Sequence, residues 1–74
     1  MGLLPIFRAR ELLKILLRLG FKILRQRGSH IQLSSPMNRK TISLPLHDQD
    51  IGRNLLHKII KEAGYTAKQF LDLL

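Results

Sequence analysis

The chain has 74 residues, no cysteine, and 13 lysine and arginine residues against five acidic ones, which gives a formal net charge of +8. This length allows one small domain, residues 1–74, and the absence of cysteine excludes disulfides and thiolate metal sites. No apolar run approaches the ~20 residues needed to cross a bilayer, and the N-terminal MGLLPIF is too short for a signal peptide. A cytoplasmic protein that does not span a membrane is therefore expected.

Positive charge is the strongest compositional signal. A basic surface of this density attracts polyanions through the release of counterions, whatever their sequence. Nucleic acid, an acidic protein or an anionic membrane would each satisfy this requirement. The alternative is that the positive charge serves only solubility. A binding site of defined shape is needed to distinguish among these possibilities.

An amphipathic helix is predicted over residues 8–19. Its apolar residues recur at i, i+3, i+4, i+7 and i+8, which is one face of a helix. These residues are Ala9, Leu12, Leu13, Leu16 and Leu17. Gly20 is expected to end the helix, because glycine readily takes the left-handed conformation found at such ends.

A change to a period of two after this helix predicts a β-hairpin. Residues 21–26 alternate as one strand, which places Ile23 and Arg25 on the same face. Gly28 and Ser29 then fit a tight two-residue turn, with the glycine supplying positive φ at the first central position.

The return strand, residues 30–34, determines the direction of His30. Ile31 and Leu33 carry the apolar content of this strand and must face the helices. His30 is therefore predicted to face the opposite, open side of the sheet, close to the turn.

The rest of the chain predicts a third strand and two helices. The strand covers residues 40–44 and ends at Pro45, which cannot donate to a β-ladder. A second helix is expected to begin near Ile51, with Asp50 as its N-cap, and to end at Gly64.

The spacing of Thr66 and Gln69 is that of a capping box and predicts a short C-terminal helix. The predicted order is thus α-β-β-β-α-α. A three-stranded antiparallel sheet with one apolar face needs helices on that face, so the sequence predicts an α+β two-layer sandwich.

His30 is the strongest candidate for chemistry. Histidine side chains accept and donate protons near neutral pH. Arg25 and Arg27 precede the turn, and Lys40 opens the third strand and is expected beside it. These cations would hold a phosphate next to the imidazole. RNA supplies its own nucleophile, the ribose 2′-hydroxyl, so a base and nearby cations suffice for cleavage without metal. An ordinary polar surface residue is the alternative for His30.

Other kinds of site fit the sequence less well. His30, His47 and His57 include no pair at metal-ligand spacing on one helix, so neither a metal nor another cofactor is predicted. Asp48 and Asp50 are expected to cap the second helix rather than to act as an acid–base pair.

Cations on the second helix offer a further contact with nucleic acid. Arg53, Lys58 and Lys61 would follow a phosphate backbone as point charges. The solvated face of an ordinary helix is the alternative explanation for these residues.

Four segments of the sequence resemble the HicA-type toxins of toxin–antitoxin pairs. They are LLKILLRLGFKILRQRGSHIQL, KTISLPLHDQDI, LLHKIIKEAGY and TAKQFLDLL, within residues 12–74. Gly-Ser-His alone is a weak signal, but the ordered set is specific. The chain departs from the family at Asn54 and Leu55, where Gly and Thr often stand.

The resemblance implies a double-stranded-RNA-binding-like fold of α-β-β-β-α order. It also implies a toxin of a type II toxin–antitoxin system, a metal-independent endoribonuclease that cleaves mRNA and arrests translation. The catalytic general acid or base of the family falls on His30. A HicB-type antitoxin would cover this histidine in a hetero-oligomeric complex, and the free toxin would be a monomer. RNA contacts are expected from Arg25, Arg27, Gly28, Ser29, Lys40, Arg53 and Lys58.

Two other functions remain open at the level of sequence. The same fold can hold double-stranded RNA by its shape and phosphates without cleaving it. The cationic, amphipathic segment 8–19 is also compatible with a helix that lies on a membrane surface.

Overall fold

The computed structural model describes residues 6–46 and 50–74, which form an α+β arrangement of helices on a three-stranded antiparallel sheet. This confirms the predicted fold class. In chain order the elements are β1 (Phe7–Arg8), α1 (Ala9–Arg18), β2 (Lys22–Arg27), β3 (His30–Ser34), β4 (Thr41–Pro45), β5 (Asp50–Ile51), α2 (Arg53–Glu62) and α3 (Ala67–Asp72).

The main sheet has the strand order β2-β3-β4. Gly28 and Ser29 close the β2–β3 hairpin as predicted, and Gly28 has a φ of +58°. β4 lies one residue later than predicted, because it begins at Thr41 and includes Pro45. Proline is tolerated there, since β4 is an edge strand and the missing N–H is not needed on its free side.

A β-bulge at Leu24 interrupts the regular alternation predicted for the first strand of the hairpin. Ile23 lies opposite Leu33 and Arg25 lies opposite Gln32, so two steps along β2 correspond to one step along β3. Ile23 and Arg25 therefore lie on opposite faces, and the prediction that they share a face is wrong. One extra residue in a strand reverses the period-two pattern beyond it.

The core lies between the main sheet and the helices. It draws on β3, β4 and all three helices, whereas all six residues of β2 are exposed. Its largest fully buried apolar side chains are Leu12, Leu16, Ile31, Leu33, Ile42, Leu44, Leu56, Ile59 and Phe70. Because α1 places most of its apolar stripe in this core, the folded chain does not offer that stripe to a membrane surface. Within the described residues, every helix is too short or too polar to span a bilayer.

Helix ends follow the local sequence signals. Gly20 and Gly64 follow α1 and α2 with φ values of +101° and +91°, which confirms both predicted ends. At the start of α3 the Gln69 N–H donates to Thr66 Oγ1 at 3.1 Å, and the Thr66 N–H donates to Gln69 Oε1 at 2.9 Å. The predicted capping box is therefore present.

The start of α2 differs from the prediction. Asp50 belongs to β5, which pairs antiparallel with β1, and the N-cap residue of α2 is Gly52. Ile51, expected at the head of the helix, is instead a buried strand residue opposite Phe7. The sequence does not reveal a strand of two residues, because it is too short to show alternation. Phe7 also packs edge-to-face on Phe70, with ring centroids 6.5 Å apart, so β1 and α3 pack together.

The loop between β3 and β4 caps the C-terminal end of α2. The buried Ser35 hydroxyl donates to the Ala63 carbonyl at 2.7 Å and accepts from the Met37 N–H at 3.2 Å. Asn38 Nδ2 donates to the Glu62 carbonyl at 3.0 Å. These side chains satisfy carbonyl groups that a helix end leaves without partners in the helix.

Replacing Ser35 by alanine is expected to lower the free energy of unfolding by about 1–3 kcal/mol, because a buried carbonyl loses its donor. A domain of this size has only about 3–5 kcal/mol from its core, so the loss should be plain in urea unfolding followed by circular dichroism. Ser43→Ala, on the exposed side of β4, is the control and should change the value by less than about 0.5 kcal/mol. Equal effects of both substitutions would contradict the capping role.

Candidate functional site

His30 lies on the face of the main sheet that the helices leave open. In β3, Ile31 and Leu33 are buried, whereas His30 and Gln32 are exposed. This confirms the predicted direction of His30, which is part of the surface and not of the core.

Cross-strand pairing brings two arginines to the same face as His30. Arg27 lies directly opposite His30. In the neighbouring row, Gln32 lies between Arg25 on β2 and Ser43 on β4. Residues directly opposite each other share a face, with Cβ atoms about 4.5–5.5 Å apart. The five side chains thus occupy two adjacent rows across the sheet.

These five residues, Arg25, Arg27, His30, Gln32 and Ser43, line one open cavity of about 420 Å³, here named the His30 cavity. It combines an imidazole, two guanidinium groups, and an amide and a hydroxyl that each donate and accept hydrogen bonds. A guanidinium group can donate two parallel hydrogen bonds to two oxygens of one phosphate. The cavity can therefore hold a phosphodiester beside a group that transfers protons.

The bulge at Leu24 is the reason that both arginines line this cavity. Ile23 pairs with Leu33, whose side chain faces the helices. Regular alternation from Ile23 would send residues 25 and 27 to the helix side as well. The extra residue reverses this direction, as bulges next to functional sites commonly do.

Gln32 and Ser43 were not among the predicted site residues. Gln32 could have been found from the sequence, because it stands two positions after His30 on the same strand and so shares its face. Ser43 could not, because its place in the cavity depends on the register between β3 and β4, and residues 35–40 do not specify that register.

Gly28 and Ser29 lie beside His30 at the tip of the hairpin. The Ser29 carbonyl accepts a hydrogen bond from the N–H of Leu46, the first residue after β4. Gly28 is exposed, and in the described part of the chain no atom beyond its two sequence neighbours lies within 4 Å of the position that a Cβ would take. The tip of the hairpin is thus hydrogen-bonded to the residue that follows β4, while Gly28 stays accessible to a large ligand.

Lys40 does not lie beside His30, and this placement was predicted wrongly. The Lys40 carbonyl accepts from the Ser35 N–H at 3.0 Å, at the far end of β3. Pro45 is the residue of β4 that pairs with His30. Five residues of extended chain separate Lys40 from Pro45, which is about 17 Å. β4 runs antiparallel to β3, so Lys40, the residue just before β4, lies far from the turn at Gly28 and Ser29.

Arg53 and Lys58 belong to the helix layer. Both are exposed on α2, which packs against the face of the sheet opposite to His30. Lys58 lines a second cavity of about 520 Å³ together with His57, Lys61 and Tyr65. The structure therefore separates the cations of α2 from those of the His30 cavity.

His47, one of the three histidines considered as metal ligands, and Asp48, expected to cap the second helix, lie outside the described residues. Across residues 6–46 and 50–74, no three His, Cys, Asp or Glu side chains converge as metal ligands. His57 lies on α2, apart from His30.

One known protein family matches most of the chain. A family model described as the HicA toxin of bacterial toxin–antitoxin systems matches residues 9–65, which include α1, the main sheet and α2. None of the curated proteins compared with the chain matches it. The family match covers well over half of the chain and leaves out β1 and α3. The chain therefore belongs to the HicA toxin family and is a toxin of a toxin–antitoxin system.

Proposed function

We propose that this toxin is a metal-independent endoribonuclease that cleaves mRNA and so arrests translation, with His30 as general acid or base. The observation that carries the proposal is the His30 cavity, in which Arg25 and Arg27 share the open face with the imidazole. Membership of the HicA toxin family supports the same activity.

The chemistry uses the nucleophile that RNA carries. His30 takes the proton of a ribose 2′-hydroxyl while the 2′-oxygen attacks the adjacent phosphorus. The bond from phosphorus to the 5′-oxygen breaks, and that oxygen leaves with a proton returned by the imidazolium or by water. The products are a 2′,3′-cyclic phosphate and a 5′-hydroxyl. Arg25 and Arg27 stabilise the additional negative charge on the phosphorane oxygens.

The other predicted RNA contacts take part at different distances. Gly28 and Ser29 let the backbone of the hairpin tip approach a phosphate next to His30. Lys40, Arg53 and Lys58 act farther along the substrate, as point charges on the phosphate backbone that carry no base specificity.

Control of the toxin requires a partner, and we expect a HicB-type antitoxin that covers the His30 cavity. The complex is hetero-oligomeric and the free toxin is monomeric. The net charge of +8 favours an acidic partner that competes with RNA for the same cations.

Incubation of the purified chain with RNA in excess EDTA tests the proposal. Cleavage is expected to continue, because the mechanism needs no metal, and the new 3′ ends should carry cyclic phosphate, detected by mass spectrometry. The same RNA with 2′-O-methyl groups should remain intact, because it lacks the attacking hydroxyl. Loss of cleavage in EDTA, or equal cleavage of the methylated RNA, would contradict the proposed mechanism.

A non-catalytic RNA-binding module is the second candidate. It is favoured by the position of the α2 cations, which lie on the side of the sheet opposite to His30. A phosphate backbone that these cations bind would not enter the His30 cavity. This function predicts salt-dependent retention of double-stranded RNA, intact RNA after incubation, and no effect of substituting His30.

A further inference from the structure

Among residues 6–46 and 50–74, β2 is an edge strand that the other elements leave largely uncovered. All six of its residues are exposed, and the main contacts of α1 and α2 with the sheet are with β4. Ile23 and Leu24 are 48% and 57% exposed, although both are large and apolar. An edge strand of this kind offers its peptide groups and its apolar side chains to another strand.

Hydrogen bonds at both ends of β3 show which way its peptide groups point. The Ser29 carbonyl accepts from the Leu46 N–H, and the Ser35 N–H donates to the Lys40 carbonyl. Peptide groups alternate in direction along a strand, so the odd-numbered residues of β3 bond to β4 and the even-numbered ones bond to β2.

The same alternation identifies a peptide group of β2 that points outward close to the His30 cavity. His30 and Gln32 bond to β2, and their partners there are Arg27 and Arg25. Gln26 stands between these two hydrogen-bonded positions. Its N–H and C=O therefore point away from β3, toward the open edge of the sheet.

The opposite edge of the sheet is less suited to an added strand. On β4 the outward positions are Thr41, Ser43 and Pro45, because the residues between them, Ile42 and Leu44, form the backbone hydrogen bonds with β3. Pro45 has no N–H, so this edge lacks a donor in the row of His30. The edge of β2 keeps its donor at Gln26, one residue from that row.

Charge selects the strand that fits. Lys22, Arg25 and Arg27 would face like charges if β2 of a second copy paired with it. RNA offers no ladder of peptide groups for Gln26 and no aliphatic surface for Ile23. An acidic, extended protein segment satisfies the peptide groups, the charges and the apolar side chains together.

We propose that an extended acidic segment of the cognate antitoxin adds to β2 as a fourth strand of the main sheet, centred on the outward peptide group of Gln26. The inference rests on the proposed function only in that the bound strand inhibits the site at His30. Side chains of the added strand that share the open face lie beside Arg25 and Arg27. Carboxylates there neutralise the cations that the RNA phosphate needs.

Gln26→Pro tests the proposal, because it removes one outward N–H and leaves the β2–β3 hydrogen bonds in place. The control is Thr41→Pro, which removes an outward N–H from the opposite edge. The probe is the purified HicB-type antitoxin of the same toxin–antitoxin pair, titrated calorimetrically. The dissociation constant should rise about 10-fold or more for Gln26→Pro and less than about 2-fold for Thr41→Pro.

A second pair of variants covers the case in which proline disturbs the hairpin. Leu24→Glu adds an acidic group to the edge and should weaken binding by a similar factor. Leu17→Glu, at a comparably exposed position on α1, should leave binding unchanged. Amide hydrogen exchange over residues 22–27 should slow when the antitoxin is added.

Three outcomes would overturn the proposed strand addition. The first is an unchanged affinity of the antitoxin for both Gln26→Pro and Leu24→Glu. The second is slowed amide exchange that is confined to elements other than β2, and the third is exchange over residues 22–27 that slows as the toxin concentration is raised without antitoxin. Cleavage of RNA by the unsubstituted toxin without antitoxin is measured separately. Weakened binding together with absent cleavage would support the added strand and reject the nuclease.

Discussion

His30→Ala is expected to lower the rate of RNA cleavage by about 100- to 10,000-fold, the usual contribution of a positioned general acid or base. The side chain is exposed on the open face of β3, so its removal leaves no hole in the core. The free energy of unfolding should therefore change by less than about 0.5 kcal/mol. Single-turnover cleavage of a fluorescent RNA measures the rate, and urea unfolding measures the stability.

The matched control is His57→Ala, which removes the same imidazole from an exposed position on α2. It should cleave RNA at the rate of the unsubstituted toxin. Expression in cells gives a second readout, since His30→Ala should no longer arrest growth while His57→Ala should. Equal cleavage and equal growth arrest by His30→Ala would reject His30 as the catalytic residue.

The fold was largely predictable because its strongest signals are local. The apolar stripe of α1, the glycine at the turn and the capping box of α3 each predict structure from a few neighbouring residues. The direction of His30 follows from Ile31 and Leu33, which alternate with His30 and Gln32 along the strand and face the core. The structure confirms this direction.

The errors arose where long-range pairing determines the structure. β5 exists because a distant segment, β1, pairs with it, and two residues carry no periodic signal of their own. Lys40 was misplaced because the position of β4 depends on its register with β3. The bulge at Leu24 is likewise a feature of pairing, since it appears only when β2 is aligned with β3.

The bulge also shows how the site depends on more than composition. Arginines at positions 25 and 27 were expected near His30 because they are close to it in sequence. With regular alternation from Ile23 they would have faced the helices, and the cavity would have held the imidazole without its two cations. The site therefore depends on one additional residue in β2.

The second large effect is expected for the double substitution Arg25→Gln and Arg27→Gln, which should lower kcat/KM for RNA about 100-fold or more. Two positive charges that face the phosphate are removed, and charged hydrogen-bond donors at a phosphorane contribute several kcal/mol together. Salt should also matter less. Each lost phosphate contact with single-stranded RNA flattens the slope of log affinity against log salt by about 0.7, so the pair flattens it by about 1.4.

The control for this pair must change the net charge equally, and α1 offers one. Arg10→Gln with Arg18→Gln also removes two charges, but from exposed positions on the helix side of the sheet. It should reduce kcat/KM by less than about 3-fold, because only long-range attraction of RNA is lost. If both double variants lost activity equally, overall charge would account for the effect, and the two arginines would have no special role in the His30 cavity.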